Sequence, residues 1–137
     1  MAERALGLTV AFVPITLGLV LGVGQRYELP PFTFVGPRGL TSDTPNGGLC
    51  IYRPHYLELW LEDESTPAPE GKSVAHHYNG FAPGHGGRDH SYTVRFGENH
   101  PDLVIYYRTH YDEGNWIASL RSDWWAWWIA QNAQLAR

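Results

Sequence analysis

The longest run of apolar positions lies near the start of the chain. Residues 5–23 carry no charged side chain, whereas charged residues stand close to both ends of the run. As a helix, this run would measure roughly 28 Å, close to the hydrocarbon thickness of about 30 Å in a bilayer. The pattern predicts a single transmembrane anchor over residues 1–24.

Small residues recur within the anchor at helical spacing. Gly7, Ala11, Pro14, Gly18 and Gly22 follow one another at intervals of three or four, so in a helix they would share one stripe. Stripes of small side chains let neighbouring membrane helices approach closely. We therefore predict that this stripe packs against integral membrane protein partners within the lipid bilayer.

Two other interpretations of the same run stay open. Pro14 could divide it into two buried strands, or the run could be a signal peptide that is cleaved before Gln25. If it is an anchor, the small excess of positive charge before it favours a cytoplasmic N-terminus. The protein would then be a single-pass membrane protein whose C-terminal domain is extracytoplasmic.

Alternation of apolar and polar positions predicts a small, mainly antiparallel β domain over residues 49–121. Leu57, Leu59 and Leu61 alternate with other side chains as in a half-buried strand. Similar alternation recurs downstream, and residues 102–111 and 115–122 flank a turn-like segment that predicts a hairpin. Together with the residues around Cys50, this makes about five strands.

Two stretches lack this alternation. Residues 25–48 are rich in Pro and Gly, which predicts an extended arm with turns. Residues 63–90 show no periodicity and predict a long His-rich loop.

The end of the chain, residues 122–137, predicts a short amphipathic helix that Ser122 or Asp123 would cap. This helix is rich in tryptophan, and we predict that four side chains contact a membrane interface or a partner protein: Trp124, Trp125, Trp127 and Trp128. The alternative is packing on the β domain of the same chain. The predicted fold class is therefore an N-terminal transmembrane helix, a small mainly antiparallel β domain and a C-terminal Trp-rich helix.

Charge and cysteine content exclude several classes of function. The net charge is −4 and the ten Lys and Arg residues are scattered, which argues against a nucleic-acid partner because phosphate binding needs clustered cations. Cys50 is the single cysteine, so the chain has no internal disulfide and no Cys-x-x-Cys motif. We interpret Cys50 as a small buried residue.

Histidines are the main candidates for chemistry. Four of them fall within residues 63–90 and raise a zinc hypothesis: His76, His77, His85 and His90. Their spacings differ from familiar zinc signatures, so we predict neither a metal site nor a cofactor. Asp89 with His90, or Asp112 with His110, could form an acid–base pair, but no catalytic motif supports either pair and no catalytic residue is predicted.

The sequence therefore predicts a non-catalytic accessory or structural subunit of a larger membrane protein complex, with bioenergetic complexes as one type of host. Two alternatives stay open. One is a soluble β-rich virion or shell assembly protein, in which the apolar run forms buried strands. The weaker one is a metal-dependent enzyme that uses the histidines of residues 63–90.

Overall fold

Two antiparallel sheets and one α-helix make up the part of the chain that the structure describes. This computed structural model describes residues 24–43, 45, 47–63, 71–82, 87–97 and 100–136. Strands are numbered along the chain. The smaller sheet has the order β1-β2-β9, with β1 at Gly24–Leu29, β2 at Phe32–Pro37 and β9 at Gln134–Leu135.

The larger sheet has six strands in the order β3-β4-β5-β8-β7-β6. Its strands are β3 (Thr41–Asp43), β4 (Gly48–Ile51), β5 (Leu57–Glu62), β6 (Ser73–Ala82), β7 (Gly87–Arg95) and β8 (Asp102–Thr109). A 3-10 turn at Tyr111–Glu113 leads into helix α1, Trp116–Asn132. Residues 25–48, which we interpreted as an extended arm, thus contribute to β1, β2, β3 and β4.

Alternation gives the six-stranded sheet two different faces. Leu57 pairs with Tyr107 and Leu59 pairs with Ile105, so all four side chains lie on the same face. Each of them is at most 1% exposed, because this face forms the core beneath α1. The predicted, mainly antiparallel β domain is confirmed.

Helix α1 lies against β7 and β8 of the larger sheet and against β2 of the smaller one. Its buried face has an apolar part, formed by Trp125, Ala126, Ile129 and Ala130, and also includes Ser119 and Ser122, all at most 2% exposed. The end of the helix is fixed by Lys72, whose Nζ donates hydrogen bonds to the carbonyls of Gln131 (2.8 Å) and Ala133 (2.7 Å). A cation at this position also interacts favourably with the negative end of the helix dipole.

The predicted C-terminal helix is confirmed, but it begins and ends earlier than expected, since it spans Trp116–Asn132 and Gln134–Leu135 belong to β9. Residues 115–122 do not form the second strand of a hairpin, because α1 already begins at Trp116. Ser122 is not an N-cap: it lies inside the helix, accepts a hydrogen bond from the Tyr56 amide at 3.1 Å and donates one to the Ala118 carbonyl at 3.0 Å. Asp123 is likewise internal to the helix and does not cap it.

The predicted loop over residues 63–90 is also wrong from Ser73 onward. Strand β6 and the beginning of β7 lie there, paired antiparallel with an irregularity between Tyr78 and Gly80. Strand β6 is at the edge of the sheet, and most of its described side chains are exposed. An edge strand with so little burial shows no clear alternation, which is why the sequence pattern failed to reveal it.

The single-pass membrane architecture is a wrong prediction. Among the described residues, no helix has both the length and the apolar character needed to cross a membrane, so the transmembrane fold and the membrane localisation with an extracytoplasmic domain are not supported. An apolar run of sufficient length meets the length requirement of a membrane span but does not by itself specify a helix. The predicted packing stripe of Gly7, Ala11, Pro14, Gly18 and Gly22 lies outside the described residues.

Candidate functional site

An open cleft lies between α1 and β7. Its volume is about 320 Å³, and it is lined by Tyr92 of β7 together with Leu120, Asp123, Trp124 and Trp127 of α1. Apolar or aromatic groups form most of the wall, and Asp123 is the one charged side chain among the described lining residues. The volume falls at the lower end of the range of about 300–1,000 Å³ that is usual for small-molecule sites.

The helical wall of the cleft is unusually apolar for a surface. Leu120 is 52% exposed and Trp127 is 41% exposed. Their spacing of seven residues places them on the same face of α1, whereas Trp125 points into the core on the other side. Helix α1 therefore presents apolar side chains both to the core and to the cleft.

A tyrosine hydroxyl orients the carboxylate of Asp123. Tyr111 Oη donates a hydrogen bond to Asp123 Oδ2 at 3.2 Å. The buried Tyr107 lies close enough to this carboxylate to feel its negative charge. Burial and the neighbouring negative charge raise the pKa of Tyr111 to about 12. The same causes raise the pKa of Tyr107 further. Both phenols therefore stay protonated at neutral pH and serve as hydrogen-bond donors.

Behind the cleft, four side chains form what we call the His–Tyr cluster: His76, His90, Tyr92 and Tyr107. His76 Nε2 lies 3.1 Å from Tyr107 Oη, and the His90 ring stacks on the Tyr107 ring with centroids 4.9 Å apart. The Tyr92 ring stacks on the Tyr107 ring, with centroids 5.9 Å apart. It meets the His76 ring edge to face, with centroids 4.9 Å apart. Because Tyr92 also lines the cleft, it connects the two features.

His90 is held in its neutral form. Burial, followed by repulsion from His76, lowers its pKa below the ordinary value of 6.5. His90 Nε2 lies 3.3 Å from Thr109 Oγ1, and its buried Nδ1 has no hydrogen-bond partner among the described residues. At neutral pH, His90 therefore brings no positive charge near Asp123.

The structure brings together only part of the predicted histidine set. His76 and His90 lie with ring centroids 5.5 Å apart. His77 points to the opposite face of the sheet, since it neighbours His76 along β6, and His85 lies outside the described residues. Within the described part of the chain, no group of three or more His, Cys, Asp or Glu side chains is placed to hold a metal ion.

Neither proposed acid–base pair forms in the described structure. Asp89 and His90 are consecutive in β7 and face opposite sides of the sheet, where Asp89 accepts a hydrogen bond from Arg108 Nε at 2.9 Å. Asp112 instead accepts a hydrogen bond from Arg88 Nε at 3.0 Å. Each of the two carboxylates is therefore paired with an arginine and not with a histidine.

The four tryptophans predicted at an interface occupy different environments. Trp125 is 2% exposed in the core, Trp124 and Trp128 are partly buried, and Trp127 is 41% exposed. Their role at a membrane or partner interface stays a prediction, and Trp124 and Trp127 line the cleft. Sequence reasoning did not select Asp123 as a site residue, although a carboxylate directly before four tryptophans is an unusual placement that could have drawn attention to it.

A larger hollow of about 460 Å³ lies on the smaller sheet. Its described lining consists of Arg26, Glu28, Thr33, Gln134, Leu135 and Ala136, without an aromatic side chain. Arg26 is already engaged, since its Nε donates a hydrogen bond to Thr33 Oγ1 at 3.2 Å. We place the functional site in the smaller cleft, because its aromatic walls and oriented carboxylate are what a ligand site needs.

The chain matches no protein-family model, no curated protein and no solved structure. A function must therefore be argued from the geometry and chemistry of the site itself.

Proposed function

We propose that the protein binds a small organic ligand in the cleft between α1 and β7. The observation that carries this proposal is an exposed apolar wall, formed by Leu120, Trp124 and Trp127, that surrounds one oriented carboxylate. Apolar surface gains roughly 25 cal/mol per Å² when it is removed from water. A ligand that covers this wall would remove its apolar surface from water, and this burial would contribute favourably to the free energy of binding.

The chemistry of the lining favours binding over covalent catalysis. The described residues that line the cleft include no Ser, Thr, Cys or Lys, so Asp123 and Tyr92 are the lining groups of a nucleophilic type. Cys50 carries the single thiol of the chain and is buried. It lies opposite Glu58 in the register of β4 and β5, on the face of the sheet that points away from α1. A non-catalytic role agrees with this lining and stays a prediction.

The ligand-binding proposal can be tested with a neutral fluorescent probe, N-phenyl-1-naphthylamine. We expect saturable binding to the full chain with a stoichiometry of one, and Trp127→Ala should weaken it about tenfold because one aromatic wall is lost. Trp60→Ala is the matched control, since Trp60 lies on the opposite face of the sheet and does not line the cleft. Equal loss in both variants, or no saturable binding to the wild type, would contradict the proposal.

A second candidate function is assembly with another protein chain, as in the predicted accessory subunit or shell component. The specific observation in its favour is the exposure of apolar residues on the first half of α1, where Trp116 is 58%, Ile117 is 66% and Leu120 is 52% exposed. Contiguous exposed apolar surface often marks a protein–protein contact.

For the shell alternative, the partner is a second copy of this chain. Sedimentation velocity from low to high micromolar concentration should then show oligomers that Ile117→Asp abolishes, because a charge would be buried in the contact. Tyr52→Ser is the control, since Tyr52 is also 50% exposed but does not belong to α1. A monomer at all concentrations would contradict self-assembly.

A further inference from the structure

Among the described residues, Asp123 differs from three other aspartates of the domain in having no salt-bridge partner. Asp89, Asp102 and Asp112 each form a salt bridge with an arginine, at 2.9, 3.1 and 2.8 Å respectively. Within the described residues, Asp123 forms no salt bridge and accepts a hydrogen bond from the neutral hydroxyl of Tyr111. A negative charge therefore lines the cleft without a counter-ion in the part of the chain that the structure describes.

The carboxylate retains capacity for further hydrogen bonds. An ionised Asp side chain offers about four acceptor positions, and the Tyr111 hydroxyl occupies about one of them. Because Asp123 lines the open cleft, the remaining positions can accept donors from a ligand. Hydrogen bonds between an ammonium group and a carboxylate are among the strongest available in proteins.

The aromatic walls favour the same class of ligand. Tyr92, Trp124 and Trp127 surround the carboxylate, and aromatic faces attract cations through their quadrupoles. The cation–π attraction is strongest with Trp. A neutral apolar ligand would use the walls but leave the charge of Asp123 uncompensated, while an anion would be repelled by it.

We propose that the cleft binds an organic amine in its ammonium form, with N–H groups donating to Asp123 and the carbon skeleton lying between Tyr92, Trp124 and Trp127. This inference rests on the proposed ligand-binding function and specifies the ligand class. The net charge of −4 on the chain acts in the same direction, since it favours the approach of cations.

Three probes that share a phenylalkyl skeleton test the inference: 2-phenylethylammonium, 2-phenylethanol and 3-phenylpropionate. In calorimetric titrations of the full chain at pH 7, we expect the ammonium to bind at least about tenfold more tightly than the alcohol, and the carboxylate to bind most weakly. Asp123→Asn should lower the ammonium affinity to that of the alcohol, while the alcohol affinity stays within about threefold. The amide oxygen of the variant can still accept the Tyr111 hydrogen bond, and circular dichroism checks that the fold is retained.

Each alternative result has a definite meaning. Equal affinity of the wild type for the ammonium and the alcohol, or preference for the carboxylate, would overturn the amine inference while leaving the ligand-binding proposal intact. No binding of any probe, together with no binding of N-phenyl-1-naphthylamine, would overturn both. If Asp123→Asn fails to fold, the salt dependence of binding to the wild type tests the inference instead. We expect the ammonium affinity to fall with added salt and the alcohol affinity to stay unchanged. An equal response of both affinities to salt would overturn the inference.

Discussion

Trp125→Ala is expected to lower the free energy of unfolding by about 3–5 kcal/mol. Trp125 is 2% exposed and lies in the core formed by α1 and the two sheets. Removing its indole leaves a cavity that backbone elements on both sides cannot close. Since small domains have a total stability of about 5–15 kcal/mol, much of the margin would be lost. Urea unfolding followed by circular dichroism measures the change.

The adjacent tryptophans of α1 provide the controls for this prediction. Trp127→Ala removes the same side chain two positions away, where it is 41% exposed, and should cost much less. Trp125→Phe should fall between the two, because the buried Trp125 Nε1 has no hydrogen-bond partner among the described residues and its removal breaks no bond. Similar losses for Trp125→Ala and Trp127→Ala would show that Trp125 is not a core residue.

The central strands were predictable because one of their faces is buried and the other is not. Leu57, Leu59 and Leu61 in β5 face the core, and Glu58 and Trp60 between them do not, so period-2 alternation is visible in the sequence. The same argument holds for the second half of β7, where Val94 is buried and its neighbours Thr93 and Arg95 are not. Burial on one face is therefore what made the antiparallel β domain recognisable.

Elements without a one-sided burial pattern were missed. The first residues of α1 include Trp116 and Ile117, both exposed, and Asn115 makes no side-chain cap hydrogen bond, so neither periodicity nor a cap marked the start of the helix. In β6, His76, His77 and Tyr78 are all exposed and gave no alternation. Tertiary packing determines where these two elements form, and the local sequence contains little information about that packing.

The candidate site could not be assembled from the sequence because its parts come from distant segments. Tyr92 and Asp123 meet only because β7 lies beside β8 and α1 crosses both strands. Tyr107 joins them because its position in β8 faces the helix. From their residue types alone, Tyr92 could belong to an ordinary strand and Asp123 to an ordinary helix cap. They lie together only because of the strand order of the sheet.

The second large effect concerns pH and depends on His55, which lies between β4 and β5 and is 5% exposed. Neither ring nitrogen has a hydrogen-bond partner among the described residues. Burial, with repulsion from Arg121, lowers the pKa of His55 from 6.5 to about 4. The unfolded chain thus takes up a proton as pH falls through 6.5, but the folded chain does so only near pH 4. The stability associated with neutral His55 is fully present well above pH 6.5 and is lost as pH falls toward 4.

Between pH 7 and pH 4, uptake of a proton by His55 in the unfolded chain should lower the free energy of unfolding by about 3 kcal/mol. Each unit of difference between the unfolded and folded pKa corresponds to about 1.4 kcal/mol. His55→Phe cannot take up the proton, so its stability should fall less than that of the wild type over this range. Urea unfolding at several pH values measures both curves, and other titrating groups contribute to both alike. His77→Phe is the control, since it makes the same replacement at an exposed position. Parallel curves for the wild type and His55→Phe would show that His55 is not held neutral by burial, and would place the acid sensitivity of the fold elsewhere.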